Sequence, residues 1–570
     1  MAATINMKIS KPRRVTVRGR LANQERTLGK LHWTSLTATW LLAGLFSGSA
    51  FAYDPPIGIP APSFGIDEVA GTQTCYVDRT HPSATDTSNP KGTASVPRLT
   101  VPTSGLSAGN VCEVHGSGYT LGNVTWTLDG TVGSPIFIKG IGGTRPTFTG
   151  SQNVLTLIGT YFIVEHIELV NMQVRFGAGG GGASAEFGSF RDSEVRGWSG
   201  TSTSSGIGVQ SATPAVHDIV LHQLIVHNNG TLGAGNDYHG VKFSGTGVNN
   251  IWYLDSTSYN NDGDTFQCGS ASGTSEPWPR FMYIGRLTAY ADTENFVDTK
   301  QCRDIIVSEN TAYGYAPSPA SGGVAIVTHN GTERAWILFN TIHSSRQGYQ
   351  GTGQTDIYVI GNVFYNIERD AGDSAETSLG SGGNPFQIRA NSGACNIINN
   401  TIHDSTRGIY LEAGETCSIV NNVIWGLKGV GAMVGFGDTS TNTQTTVEDN
   451  LFPSGGSGAR VQVGSTRYTT LAAYTANYPS KCNGCLEGNP KFVNAGTRDY
   501  HLQTGSAALD VGAAAHAAYA AFNTLYGISI TKDSDANTRP LGSWWDMGAY
   551  EGQGSGGGVA PAAPRNLRLM

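Results

Sequence analysis

Charge is scarce in this chain. Only 14% of its 570 residues are Asp, Glu, Lys or Arg. Heptads and long amphipathic helical stretches are also missing. Their absence excludes coiled coils and helical bundles, which need charged faces and an apolar stripe of period 3.5 to 3.6. There is no basic excess: 36 Lys and Arg stand against 43 Asp and Glu, a formal net charge of −7. That balance argues against nucleic acid as a partner. What the chain has instead is 77 Gly and many short apolar strands rich in β-branched residues, the composition of an all-β protein with tight turns.

The strands recur. Seven-residue cassettes ending in Asn read DIIVSEN, RAWILFN, DIYVIGN, ACNIINN, TCSIVNN and QTTVEDN, with Asn310, Asn340, Asn362, Asn400, Asn422 and Asn450 at their ends. The steps between these Asn are 30, 22, 38, 22 and 28 residues. A basic step near 22 is too short for a βαβ unit and suits one coil of a parallel β-solenoid, with longer steps carrying insertions. Stacked coils would place Asn above Asn, each amide satisfying turn backbone that is otherwise buried without partners. The expected fold is a single-stranded right-handed parallel β-helix over residues 72–488. Less regular coils start near His217, Asn250 and Arg280.

Both ends differ from the repeat. The first 30 residues are basic, from Lys8 to Lys30, and an apolar run follows from Leu36 to Phe46. Ser49-Ala50-Phe51-Ala52 has the small-residue character of a cleavage site, so residues 1–52 read as a secretory signal. The apolar run is short for a membrane span. Residues 53–71, rich in Pro and Gly, read as a linker. Residues 489–552 read as a cap, because a solenoid end leaves strand edges and core exposed. Asp533-Ser-Asp-Ala-Asn-Thr-Arg-Pro540 and Asp546-Met-Gly-Ala-Tyr-Glu551 resemble the C-terminal segments of exported bacterial parallel β-helix proteins. Residues 553–570 are a Gly/Pro tail.

The eight Cys all follow the cleavage site and fall into near pairs: Cys75 with Cys112, Cys268 with Cys302, Cys395 with Cys417, Cys482 with Cys485. An even count in an exported chain points to disulfides. Cys395 and Cys417 hold the same place in successive cassettes, so they should face each other on adjacent coils.

Strand alternation selects the candidate site. Segments beginning at His239, Asp262, Asn295, Gly323, Pro385 and Gly408 align, with Val241, Phe243, Val297, Ile326, Ile388 and Leu411 inward. Lys242, Ser244, Thr265, Gln267, Asp298, Lys300, Gln387, Arg389, Tyr410 and Glu412 then form an outward polar strip. Four carboxylates gather at its upstream end: Asp237, Asp262, Asp264 and Asp298. An oxygen-rich set of this kind suits Ca²⁺. Asp237, the Asp262-Gly-Asp264 turn and Lys300 on successive coils resemble polysaccharide lyase family nine, with Asn261 where that family tends to have Asp. Glu294-Asn-Phe-Val-Asp-Thr-Lys300 and Val327-Thr-His-Asn-Gly331 resemble lyase family six, with Thr328 in place of its Arg. These resemblances imply a Ca²⁺ held by Asp237, Asp262, Asp264 and Asp298, and Lys300 as the base. Lys242, Gln267, Arg389 and His329 would bind the substrate.

The function these residues point to is a secreted bacterial lyase, monomeric, cleaving an acidic, uronate-containing polysaccharide by β-elimination. The base must be unprotonated near neutral pH, and a metal is what would lower a Lys that far. Two other readings stay open: an inverting glycoside hydrolase using paired carboxylates such as Asp262 and Asp264, and a non-catalytic surface or adhesion protein. His239 reads as a turn residue, and Tyr283, Tyr290 and Trp336 as core stacks.

Overall fold

The computed structural model describes residues 52–178, 182–200, 204–210, 215–269, 278–319, 321–380, 382–389 and 393–552. The expected signal, residues 1–52, lies outside them except for Ala52. The expected tail, 553–570, lies wholly outside.

The chain winds as a right-handed parallel β-helix from Cys75 to Glu487. Each regular coil contributes three strands, so the coils stack into three faces. One face runs through His239–Ser244, Phe266–Gly269, Val297–Lys300, Val324–His329, Gln347–Thr352, Phe386–Arg389, Ile409–Leu411, Ala432–Phe436 and Ala459–Val463. The second runs through Arg280–Gly285, Arg303–Ser308, Glu333–Leu338, Thr355–Ile360 and Cys395–Ile398. The third consists of short strands such as Thr288–Tyr290, Thr311–Tyr313 and Thr401–His403.

The Asn column forms between the second and third faces. Asn310 Nδ2 donates to Asn340 Oδ1 at 2.8 Å, Asn340 to Asn362 at 2.9 Å, and Asn362 to Asn400 at 3.0 Å. Asn400 continues to Asn422 at 3.0 Å and Asn422 to Asn450 at 2.9 Å. Each Oδ1 also accepts the backbone N–H of the preceding Asn. The residue before each column Asn is left-handed: Glu309, Phe339, Gly361, Asn399, Asn421 and Asp449 all have positive φ. That kink swings the Asn side chain into the turn, where it replaces backbone partners that no strand can supply. Inward side chains such as Ile305, Val307, Ala335, Ile337, Ile357 and Val359 are fully buried.

All four expected disulfides are present: Cys75–Cys112, Cys268–Cys302, Cys395–Cys417 and Cys482–Cys485. Cys75 and Cys112 are direct register partners on neighbouring strands.

Two boundary expectations change. Residues 53–66 are not a free linker. Ile57, Ile59 and Phe64 are buried, and Ser308 Oγ donates to Ile57 O at 2.7 Å while Trp252 Nε1 donates to Pro60 O at 2.8 Å. The stretch lies along the outer side of the second face because that side is itself apolar: Trp252, Tyr283, Ile306 and Trp336 point outward there. The helix Ala517–Tyr526 covers the same side further along, with Phe522 against Trp336 at 4.8 Å between ring centres. So residues 489–552 run back along the coils and do not close the end. The end of the core is closed by Leu471 and Tyr474 of the helix Leu471–Asn477, with Cys482. Tyr283 and Trp336 are thus buried, as expected, but beneath the terminal segments. Tyr290 stands in an outward stack with Tyr259 and Tyr313, rings 5.0 Å apart on each side. Among the described residues, no helix is long and apolar enough to cross a membrane.

Candidate active site

The first face carries the polar strip. Register places Lys242 beside Gln267, Gln267 beside Asp298, and Asp298 beside Val327. Gln350 and Gln387 continue that row. A second outward row runs Lys300, His329, Thr352, Arg389. Alternation along each strand is therefore as read from the sequence, except at Thr265, which is buried and donates to Asp292.

Asp298 is the hub. Its Oδ2 meets Lys300 Nζ at 2.5 Å and its Oδ1 meets His329 Nε2 at 2.7 Å. Gln267 Nε2 donates to it at 3.4 Å and to Asp264 Oδ2 at 3.2 Å. Burial opposes the charge of Asp298, but the His329 hydrogen bond and the Lys300 and His329 charges hold its carboxyl down, to about 2. Burial likewise works to deprotonate Lys300, and the carboxylates of Asp298 and Asp264 override it and push the ammonium up to about 12. His329 Nδ1 has no hydrogen-bond partner among the described residues and is the open nitrogen of the ring.

A second group lies one and two coils upstream. His239 is fully buried between Asp237 and Asp264, with Nε2 3.2 Å from Asp237 Oδ1 and Nδ1 3.2 Å from Asp264 Oδ2. The Asp264 backbone N–H donates to His239 Nδ1 at 3.1 Å. Lys242 Nζ sits 3.2 Å from Nε2 of the same ring. Burial lowers the Lys242 pKa. Glu294, only 9% exposed, faces the charges of Asp264, Asp237 and Asp298. Burial first, and those charges second, push its carboxyl up to about 9. Burial and the Asp298 charge raise Asp264 as well.

Of the four expected metal ligands, the structure brings Asp237 and Asp264 together, with His239 between them as the third member of a possible metal-binding group. Asp262 lies outside it. Its two oxygens accept the backbone N–H groups of Gly235 at 3.1 Å and Asn236 at 2.8 Å, a turn-shaping role. Asp298 is taken by Lys300 and His329. Of the expected substrate contacts, Lys242, Gln267 and His329 surround the cluster. Arg389 stands three coils beyond Lys300, about 14 Å along the axis, in an ion pair with Glu412 at 3.3 Å. The sequence marked His239 as a turn residue and singled out Glu294 only as the start of the Glu294–Lys300 segment. The usable signal was position: His239 opens the strand that carries Lys242, and Glu294 sits in the segment that ends at Lys300.

Donor chemistry fits a hard cation in part. Asp237 Oδ1 is buried without a hydrogen-bond partner, and Glu294 and Asp264 are crowded by like charge, so carboxylate oxygens are available. His239 adds no oxygen, and its Nδ1 is already an acceptor.

No family model and no curated protein matches the chain. Solved structures similar to it include the GH136 lacto-N-biosidase of Eubacterium ramulus, 12% identical over 73% of this chain and 67% of that one, TM-score 0.38. Pectate lyase Pel9A is 14% identical over 85% of this chain and 98% of that one, TM-score 0.32. The PL6 polysaccharide lyase Pedsa3628 of Pseudopedobacter saltans shows 13% identity, 67% and 88% coverage, and a TM-score of 0.37.

Proposed function

We propose that this protein is an exported lyase that cleaves an acidic, uronate-containing polysaccharide by β-elimination. The observation that carries the reading is Asp298, which joins Lys300 and His329 on the outward rows of adjacent coils. β-Elimination requires a base for the C5 proton beside the uronate carboxylate, and positive charge to balance the carboxylate as the carbanion develops. Lys300, expected as the base, is held protonated by Asp298 and Asp264, so it supplies the charge. His329 is the better base: Asp298 holds its ring through Nε2 and leaves Nδ1 without a hydrogen-bond partner among the described residues. The C5 proton passes to Nδ1, the electron pair forms the C4–C5 double bond, and the glycosidic oxygen leaves C4 with its bonding pair and takes a proton from solvent water. Lys242 and Gln267 line the adjoining coils as substrate contacts. Ca²⁺ held by Asp237, Asp264 and Glu294 would add charge neutralisation for the same carboxylate. The four disulfides fit export to an oxidising compartment.

A screen of pectate, alginate and glycosaminoglycans tests this. Cleavage should give unsaturated ends that absorb in the ultraviolet, and His329→Ala and Lys300→Ala should each abolish the signal. A second reading is favoured by Glu294, whose retained proton would let it act as the general acid of a glycoside hydrolase. New reducing ends without ultraviolet absorbance would favour that reading.

A further inference from the structure

The polar strip of the first face does not stay open along its length. The segment 369–380, inserted before the strand Phe386–Arg389, turns back over the downstream floor. Its contacts fall on four successive coils of one outward row. Gln387, Tyr410, Gly435 and Gln462 are register partners in turn. Gln387 Nε2 donates to Gly380 O at 3.1 Å, and Gln462 Nε2 donates to Thr377 O at 3.0 Å. Between them, Leu379 lies on Gly435, where an added Cβ would come within 2.5 Å of Leu379 Cδ2. Gly380 lies in the same way against the Tyr410 ring, and Tyr410 is only 8% exposed.

The segment is also anchored from beneath. Arg407 is 1% exposed and donates to the carbonyl oxygens of Ser374 at 3.2 Å and Ala375 at 2.8 Å. Arg346 grips Asp373, with Nε 2.9 Å from Oδ2. A buried guanidinium that donates through Nε and Nη2 to one segment's carbonyls holds that segment, because pulling it away would strand those donors.

We propose that segment 369–380 is a fixed wall that ends the glycan groove three coils downstream of Asp298, so that the protein acts near one end of its polymer. The proposal rests on the reading that this face binds a glycan. The row from Asp298 to Gln387 spans about 14 Å at ~4.8 Å per coil, room for roughly two or three sugar units. A chain running along this row past the catalytic group in that direction meets the segment there.

The test compares the wild type with two variants on pectate and alginate. In one, residues 370–379 are replaced by a short Gly-Ser link. In the other, Gly435→Leu fills the space of Leu379 and displaces it without shortening the chain. The wild type should release short unsaturated products from the first minutes, with little loss of viscosity. Both variants should give a ladder of long products and at least a fivefold faster viscosity drop. A long-product ladder from the wild type, or identical profiles for all three, overturns the proposal. Nitration of Tyr410, read by mass spectrometry, needs no substrate: it should be at least tenfold slower in the wild type than in the variants. If neither polymer is cleaved, the lyase reading loses support, and equal nitration rates still overturn the wall.

Discussion

Asp298→Asn is the sharpest perturbation of this site. It keeps the shape of the side chain and removes the charge that Lys300 and His329 share. The size of the effect can be read from either partner. Lys300 is pushed from 10.5 to about 12, and Asp298 is drawn from 3.8 to about 2. At 1.36 kcal/mol per unit, each view gives about 2 kcal/mol; the Lys300 shift also carries Asp264 and Asp237, and the Asp298 shift carries His329, so the two overlap and are not added. The sign follows. A raised Lys contributes stability below its unfolded pKa and loses it as pH climbs toward 12. A depressed Asp contributes above its unfolded pKa and loses it as pH falls toward 2. The variant should therefore be about 2 kcal/mol less stable, by a near-constant amount between about pH 5 and pH 9. Urea unfolding at several pH values measures this. The Lys300 ammonium, followed by NMR after isotopic methylation, should titrate lower than in the wild type. On whichever polymer is cleaved, kcat should fall roughly 10²–10⁴-fold with a smaller change in KM, because His329 loses the acceptor that orients it. A kcat within about threefold of the wild type, or a stability deficit that grows steadily across this pH range, would refute the assignment.

Three further outcomes are expected. Asn362→Ala should cost about 3 kcal/mol, since it removes the acceptor of the buried Asn340 N–H and the donor to Ile337 O; hydrogen exchange at Asn340 should accelerate first, and no change there would count against the column as a source of stability. Asp292 is buried and its carboxyl is pushed up to about 7 by that burial. A folded-state pKa above the unfolded one means stability is lost as pH rises from about 4 to 7, so Asp292→Asn should flatten that slope and gain roughly 2–4 kcal/mol at pH 8; unfolding curves at pH 5 and 8 decide it. Ca²⁺ should raise the thermal midpoint of the wild type and leave Glu294→Gln and Asp264→Asn unmoved, a readout independent of activity; equal shifts in all three would remove these carboxylates from the cation site.

The sequence by itself determined the coil, the Asn column and the four disulfides. Those signals are local and periodic: an apolar strand, a kinked residue and an Asn recur in each cassette, and stacking identical units forces like onto like. Cys395 and Cys417 share a cassette position, so their pairing was legible before any coordinate. It also placed Lys242, Gln267, Asp298 and Lys300 outward, because alternation within a strand has a fixed period. The tertiary structure decided what depends on insertions and on neighbouring coils. It put His239 between Asp237 and Asp264, gave Asp262 to two backbone amides, and tied Asp298 to Lys300 and His329. It laid residues 53–66 and the helix Ala517–Tyr526 along the apolar outer side of the second face, and folded segment 369–380 onto the groove. Such contacts join residues tens to hundreds of positions apart, and no pattern within one coil records where an insertion will come to rest. The charge of Lys300 is of the same kind: its composition is plain in the sequence, but its protonation is set by which carboxylates the stacking brings within reach.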